Sequence, residues 1–423
     1  MNHVELSGIA TYVEERISSD AVSLEHYVTT DSLLQNKAGR EQAQNLPPNK
    51  VTLTKYQPGD VLVANIRPYL RKIWQADCSG GCSADVLAFR ARPNHSSDFL
   101  YAVLMQDAFF DHVMAGKKGA KMPRGDKKQI MRYLVPDVST DKEQQIGQMI
   151  ASISQKIALN QRLNDNLEAM AQALYDYWFV QFDFPDENGK PYKSSGGKMV
   201  WNEQIKREIP DGWRVCPLSE HICSVNTGLN PRRNFTLGKG AIRYITVKNL
   251  TVDGSIKFDG CDMVDEKAHA IIHARSDIKV GDILFASIAP LGRCYLIFDT
   301  PKTWDINESV FSIRARRTCT TPCYLYMYLR SDEFVQKATA SSTGSVFLGI
   351  RHKTLLEMRA VLPPINLLES FTKLIEPLLK RRCSLMDNNN DLTIQRDFLL
   401  PLLMSGQVQV KPQGELNYHL TVD

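Results

Sequence analysis

The chain has 423 residues, 43% hydrophobic and 23% charged, and 51 Lys and Arg against 47 Asp and Glu leave a formal charge of +4. These fractions exclude disordered, collagen-like and fibrous classes, and the length predicts two to three domains, each with its own core. The basic excess is mild, so a nucleic-acid partner is allowed but not demanded, and any basic surface must be local. The opening Met1–Asp20 lacks a basic region followed by an apolar core, and no apolar run approaches the roughly 18 residues of a membrane span. A cytoplasmic chain without membrane contact, its nine cysteines reduced, is therefore expected.

In chain order, the first signals are Tyr27-Val-Thr-Thr-Asp-Ser-Leu33 and Tyr56-Gln-Pro-Gly-Asp-Val-Leu-Val-Ala-Asn-Ile-Arg-Pro68. In the second, a Gly-Asp turn feeds the short apolar run Val61–Ala64, which predicts a strand. Asp85–Arg90 reads as the next strand and Phe99–Val113 as an amphipathic helix. Cys78 and Cys82 are spaced as half of a zinc site, but four ligands are needed and only His95 follows, so no metal is predicted there. The loop Gly116–Lys128 gathers Lys117, Lys118, Lys121, Arg124, Lys127 and Lys128 among glycines. Cations on a permissive backbone suit phosphate contacts, and Arg can also read guanine edges. Asn65 and Arg67, at the end of the Val61 strand motif, join them as DNA-contact candidates. A solvated loop is the alternative for any single cluster.

From Lys142 to about Phe179, Ile146, Ile153, Asn160, Leu167 and Leu174 recur every seven residues, with Met149, Ile150, Ile157, Leu163 and Met170 read as the adjoining seam. Such a helix is on the order of 50 Å long, and Asn160 is a polar residue of the kind that fixes register. Asp183–Lys198, rich in Gly, Pro and Ser, reads as a loop.

The signals then repeat. Tyr244-Ile-Thr-Val-Lys-Asn-Leu250 matches Tyr27–Leu33, Ile278-Lys-Val-Gly-Asp-Ile-Leu-Phe-Ala-Ser-Ile-Ala-Pro290 matches Tyr56–Pro68, and Tyr326–Asp332 matches Tyr101–Asp107. Ser309–Arg314 reads as a strand and Tyr324–Lys337 as a helix. Cys319 and Cys323 form a second cysteine pair, at a different point of the repeat. The counterpart of the basic loop is Ser341–Lys353, with Ser345, Arg351 and Lys353, and Asn230–Asn234 adds Arg232 and Arg233. A second long helical pattern carries Phe371, Leu378, Leu385, Leu392 and Leu399, with Leu374 and Ile375 beside them. Pro377 should bend it, and Asn388–Asn390 weaken its propensity.

With the Gly and then Pro that follow in each copy, Gly119 and Pro136, Gly344 and Pro363, four landmarks in the same order predict an α+β chain with a pseudo-twofold internal repeat. Two similar globular domains, at 1–138 and 209–365, are each followed by a long helix, at 139–180 and 366–406. A linker loop at 181–208 and a tail at 407–423 complete the chain. Two narrow seams in one chain predict that the helices pair antiparallel, as a coiled coil.

Catalytic motifs are scarce. The Pro-Pro pairs, Leu46-Pro-Pro-Asn49 and Leu362-Pro-Pro-Ile365, lack the preceding acid or amide of an adenine methyltransferase, and no phosphate-binding Gly-x4-Gly-Lys-Ser/Thr loop occurs. Pro210-Asp211 with Asp265-x-Lys267 or Asp277-x-Lys279 fits a metal nuclease only formally, because two-metal chemistry needs converging carboxylates.

The stretch Lys156–Phe184, ending in Ala173-Leu-Tyr-Asp-Tyr-Trp-Phe179, with Gly189-Lys-Pro-Tyr-Lys-Ser-Ser-Gly-Gly-Lys-Met-Val-Trp201 and Ile209-Pro-Asp-Gly-Trp213, resembles the central region of type I restriction–modification specificity subunits. The resemblance covers nearly the whole chain in the order domain, helix, domain, helix. It implies two target-recognition domains, each reading one half of a split, asymmetric site in double-stranded DNA. It implies that the helices, through positions such as Ile146, Ile153, Asn160, Leu167, Leu174, Leu378, Leu385 and Leu392, serve to bind two methyltransferase subunits, joined by restriction (translocase–nuclease) subunits. It also implies a non-catalytic chain without a cofactor of its own, S-adenosylmethionine, ATP and magnesium belonging to the partners. Gly119-Ala-Lys-Met-Pro-Arg124 fits the polar loop of that family, whereas Gly344-Ser-Val-Phe-Leu-Gly349 is more apolar. Two other readings are a self-contained endonuclease using Asp265 or Asp277 and a scaffold that never touches DNA.

Overall fold

The structure is a computed structural model that describes residues 2–117, 119, 121–258, 260–342, 349–413 and 417–422, with the backbone alone over 411–413 and 417–422. It divides into two compact units, Met1–Gln161 with Asn388–Asp423, and Arg162–Asp387. Among the described residues no helix is long and apolar enough to cross a membrane.

In the first unit, a Gly59 turn at φ 88° sets up the strand Val61–Ala64. That strand lies in an antiparallel sheet ordered Ala10–Tyr12, Val86–Ala91, Val61–Ala64, Ile73–Gln75. A second sheet is ordered Arg16–Ser18, Thr52–Tyr56, Gly80–Cys82, Tyr27–Val28, its last pair parallel. The stretch read as one helix, Phe99–Val113, is two: Ser97–Leu104, capped by Ser96, and Asp107–Ala115. The break falls at Gln106, whose extended backbone cannot continue a helix. Phe99, Leu100, Phe109 and Phe110 from these helices pack on Val61, Val63, Leu87 and Phe89 of the first sheet, forming one core.

The second unit repeats the plan. The antiparallel sheet is ordered Ile222–Thr227, Val310–Ala315, Asp282–Ala286, Cys294–Leu296. A three-stranded sheet is ordered Asp262–Val264, Ile242–Ile245, Trp304–Ile306, its last pair parallel. The helix expected over Tyr324–Lys337 is again two, Pro322–Arg330 and Asp332–Ala340, divided at Ser331, which caps the second. The correspondence reaches single atoms. Asp60 accepts from Arg90 Nε and Nη2 at 2.7 and 2.8 Å, and Asp282 accepts from Arg314 Nε and Nη2 at 2.8 and 2.8 Å. Each buried carboxylate also accepts from the backbone N–H opening its turn, that of Gln57 or Lys279, at 2.9 Å.

The long helices are Thr140–Tyr175, extended by a π-helical turn over Asp176–Val180, and Ile365–Ser405, continuous through Pro377. Within the first unit, Ile146 and Ile150 share a core with Leu400, Leu403 and Met404. Toward the other end of the unit, Asn160 Nδ2 donates to Asn388 and Asn389 Oδ1, both at 2.8 Å, and Asn389 Nδ2 donates to the Ile157 carbonyl at 3.2 Å. Rising numbers on one helix meet falling numbers on the other, so the segments are antiparallel there. Within the second unit, Ala171 and Tyr175 pack with Phe371, Ile375 and Leu379, and Arg382 is ion-paired with Glu168.

Two further expectations are corrected. The seam does not continue through Leu163 and Met170, which are 40% and 52% exposed; the buried positions are Asn164 and Ala171, one residue further on. The segment 181–208 is not all loop, because Met199–Asn202 pairs with Arg207–Pro210. The tail forms a backbone hairpin, Val408–Gln413 with Asn417–Val422.

Candidate nucleic-acid interface

In the first unit the strand Val61–Ala64 runs into Asn65–Arg67, and this segment lies against the end of the basic loop. Ile66 forms an antiparallel bridge with Arg124, and the Arg67 N–H donates to the Pro123 carbonyl at 2.9 Å. Buried Asn65 accepts the Gly125 N–H on Oδ1 at 3.1 Å. A Cβ on Gly125 would meet Val113 at 2.6 Å and Asn65 Oδ1 at 2.9 Å, so only glycine lets the loop close on the strand. Asn65 is thus a support of the loop rather than a free reader. Arg67 is exposed and held at φ 52°, ψ 59°, a region sparsely used by side-chain-bearing residues.

Lys117, Lys121, Lys127 and Lys128 are exposed on the same loop and its continuation. Asp126 caps the short helix Lys127–Ile130, accepting from the Lys128 and Gln129 N–H groups at 2.9 and 3.1 Å. Lys127 Nζ lies 5.8 Å from the Tyr12 ring centroid, and Arg124 is ion-paired with Asp85 at 3.2 Å across half-exposed side chains. Lys118 lies outside the described residues. The structure therefore brings Arg67, Lys121, Arg124, Lys127 and Lys128 onto one connected segment. Tyr69, exposed beside Arg67, was not singled out from the sequence because a lone aromatic carries no spacing signal.

In the second unit the equivalent bridge joins Ile288 to Gly349, and the Ile350 N–H donates to the Ser287 carbonyl at 2.9 Å. Arg351 and Lys353 follow directly, both exposed. Ser345 lies outside the described residues. Ala289 and Gly349 stand where the first unit has Arg67 and Arg124, so the two bridged loops differ in charge at equivalent places. Arg232 and Arg233 are exposed on a different support: Leu229, Phe235 and Leu237 of their loop pack on the three-stranded sheet, and Tyr244 Oη donates to the Leu229 carbonyl at 2.6 Å.

Of the helix positions proposed for partner binding, Ile146, Asn160 and Leu385 are buried inside their own unit, and Ile153, Leu167, Leu174, Leu378 and Leu392 are half-buried on the same stripe. The exposed apolar side chains are others: Leu159, Ile394 and Phe398 in the first unit, Leu163, Met170 and Leu374 in the second.

The acids weighed for nuclease chemistry have structural roles. Asp265 accepts the Ala268 N–H at 2.8 Å as a helix cap, and Asp277 pairs with Lys279 and Arg314 at 2.9 and 3.0 Å. Burial pushes the Cys82 and Cys323 thiols up to about 12, so both are protonated thiols at neutral pH. The aromatic run that carries the resemblance is a packing joint. Phe179 lies 4.8 Å from both the Tyr324 and Phe371 ring centroids, and Phe184 stacks on Trp213 at 5.1 Å.

No family model matches the chain. It is 22% identical to the type I restriction enzyme MjaIX specificity subunit of Methanocaldococcus jannaschii over 324 residues, covering 74% of this chain and 70% of that protein. It is 22% identical to the type I restriction enzyme HindI specificity subunit of Haemophilus influenzae over 464 residues, covering 95% and 98%. The crystal structure of the type I restriction–modification S subunit from M. genitalium superposes with a TM-score of 0.61 at 13% identity, covering 95% of this chain and 96% of that one. The curated relatives of this chain, and a solved structure that shares its fold, are type I restriction–modification specificity subunits.

Proposed function

We propose that this chain is the DNA-recognition subunit of a type I restriction–modification complex. Each unit reads one half of a split, asymmetric site in double-stranded DNA. The observation that supports this best is the duplicated sheet whose strand end is bridged each time to a loop carrying exposed cations. The loops differ where Arg67 and Arg124 face Ala289 and Gly349, as two readers of different half-sites must. Phosphate contacts by lysines would set position, and arginines would supply base-edge contacts.

The chain is non-catalytic in this reading. S-adenosylmethionine, ATP and magnesium belong to methyltransferase and restriction subunits, two of the former assembling on the helices. Because the seam residues are turned inward, the outward side chains, among them Phe398, Ile394 and Met170, are the ones offered to those subunits. The two long helices then set the gap between half-sites.

The reading is tested on the complex with its methyltransferase subunits. Replacing Lys117, Lys121 and Arg124 by Glu should lower affinity for the cognate duplex at least tenfold and flatten its salt dependence. The purified chain alone should neither cleave nor methylate DNA with magnesium or S-adenosylmethionine added. Unchanged affinity points to a scaffold, and turnover by the chain alone to an enzyme.

A further inference from the structure

His269 and His273 stand one turn apart on the helix Glu266–Ser276, which packs through Ala268 and Ile272 on the three-stranded sheet of the second unit. Asp305 is wholly buried in the parallel strand Trp304–Ile306 of that sheet. Its Oδ2 lies 2.9 Å from His273 Nδ1 and 3.5 Å from His269 Nε2, and its Oδ1 accepts the Ile306 N–H at 2.8 Å. His269 Nε2 is buried without a hydrogen-bond partner. Among the described residues this is the one group of three His, Cys, Asp or Glu side chains whose ligand atoms converge, all within 4.8 Å of one another.

We infer that His269, His273 and Asp305 form a binding site for a divalent transition-metal ion of the zinc class. Nitrogen and oxygen ligands each about 2.1 Å from one ion sit roughly 3.0–3.5 Å apart, and His273 and His269 lie at 2.9 and 3.5 Å from Asp305 Oδ2, close to that spacing. Two imidazoles with one carboxylate select zinc, cobalt, nickel or iron over magnesium or calcium. The remaining Asp305 oxygen is already fixed by the backbone, the outer hydrogen bond that orients a ligating carboxylate. His273 is 43% exposed, which gives the ion a way in and leaves a coordination position for water. Bound there, the ion would tie the helix to the strand and so steady the sheet on which Leu229, Phe235 and Leu237 hold the Arg232–Arg233 loop. The inference stands apart from the DNA-reading proposal, since it needs only the folded chain.

The test uses the full chain, stripped with a chelator and dialysed against micromolar zinc. One zinc per chain is expected. Cobalt should give visible d–d absorption without a thiolate charge-transfer band. His273→Ala, and His269→Ala with His273→Ala, should abolish uptake, while Cys78→Ser with Cys82→Ser and Cys319→Ser with Cys323→Ser should leave it intact. His273 is half exposed, so its replacement keeps the fold, which circular dichroism would verify; Asp305→Asn is then a supplementary variant. No uptake by the unaltered chain, uptake that survives loss of both histidines, or a thiolate band would each overturn the site.

Discussion

At the residue scale, the sequence points to regions better than to roles. Asn65, Lys121, Arg124 and Lys127 do converge on one segment, because the Val61–Ala64 strand is followed by a bridge to the loop. No spacing rule foretells that Asn65 is buried as a support while Arg67 is exposed. The His269–His273 spacing was available in the sequence, but Asp305 reaches it only through a parallel strand pairing distant in the chain. His221 offers a sharper test of the second core. It is buried against Cys216, Nε2 to Sγ 3.5 Å, and burial lowers its pKa from 6.5 to about 4. The folded chain therefore resists protonation that the unfolded chain accepts. The His221 contribution to stability is full above pH 6.5 and is lost as the pH drops toward 4, on the order of 3 kcal/mol. An NMR titration should place the His221 midpoint near 4; a midpoint near 6.5 would mean the ring is solvated.

At the element scale, the helices were legible because apolar residues recur every seven positions over many turns, and a period is a property of sequence. Their outward face does not follow from the heptad pattern, because Asn164, Arg382 and Arg396 occupy buried places where a hydrophobic template looks for leucine. Leu163 and Met170 fit the heptad pattern in place of Asn164 and Ala171 and are turned out. Replacing Phe398 and Ile394 by Ser should leave the melting temperature within about 2 °C, since exposed substitutions act weakly. The same pair should weaken assembly with methyltransferase subunits at least tenfold in a pull-down or by calorimetry; unaltered assembly places the partner elsewhere. Matched four-residue insertions, after Asn160 and after Asn388, keep the helices paired while adding about 6 Å. They should lengthen the preferred gap between half-sites by about two base pairs. A gap preference that does not move rejects the helices as the spacing element.

At the scale of the whole molecule, the repeat is the main inference, and it was visible as four ordered landmarks because turns and strand starts constrain residue type. Gly59 and Gly281 both take positive φ, and the Asp60–Arg90 and Asp282–Arg314 pairs fix the same strands in each unit. What the repeat could not disclose was which loops differ, since the proposed reading of DNA would rest on side chains that need not resemble each other. The most direct measurement exchanges residues 1–135 for those of a type I specificity subunit and maps methylated bases across a genome by long-read sequencing of cells carrying the reconstituted complex. The account predicts that one half of the recognised site changes while the other half is kept. A chimera that folds, assembles and methylates with both halves unchanged, or with both replaced, would contradict it.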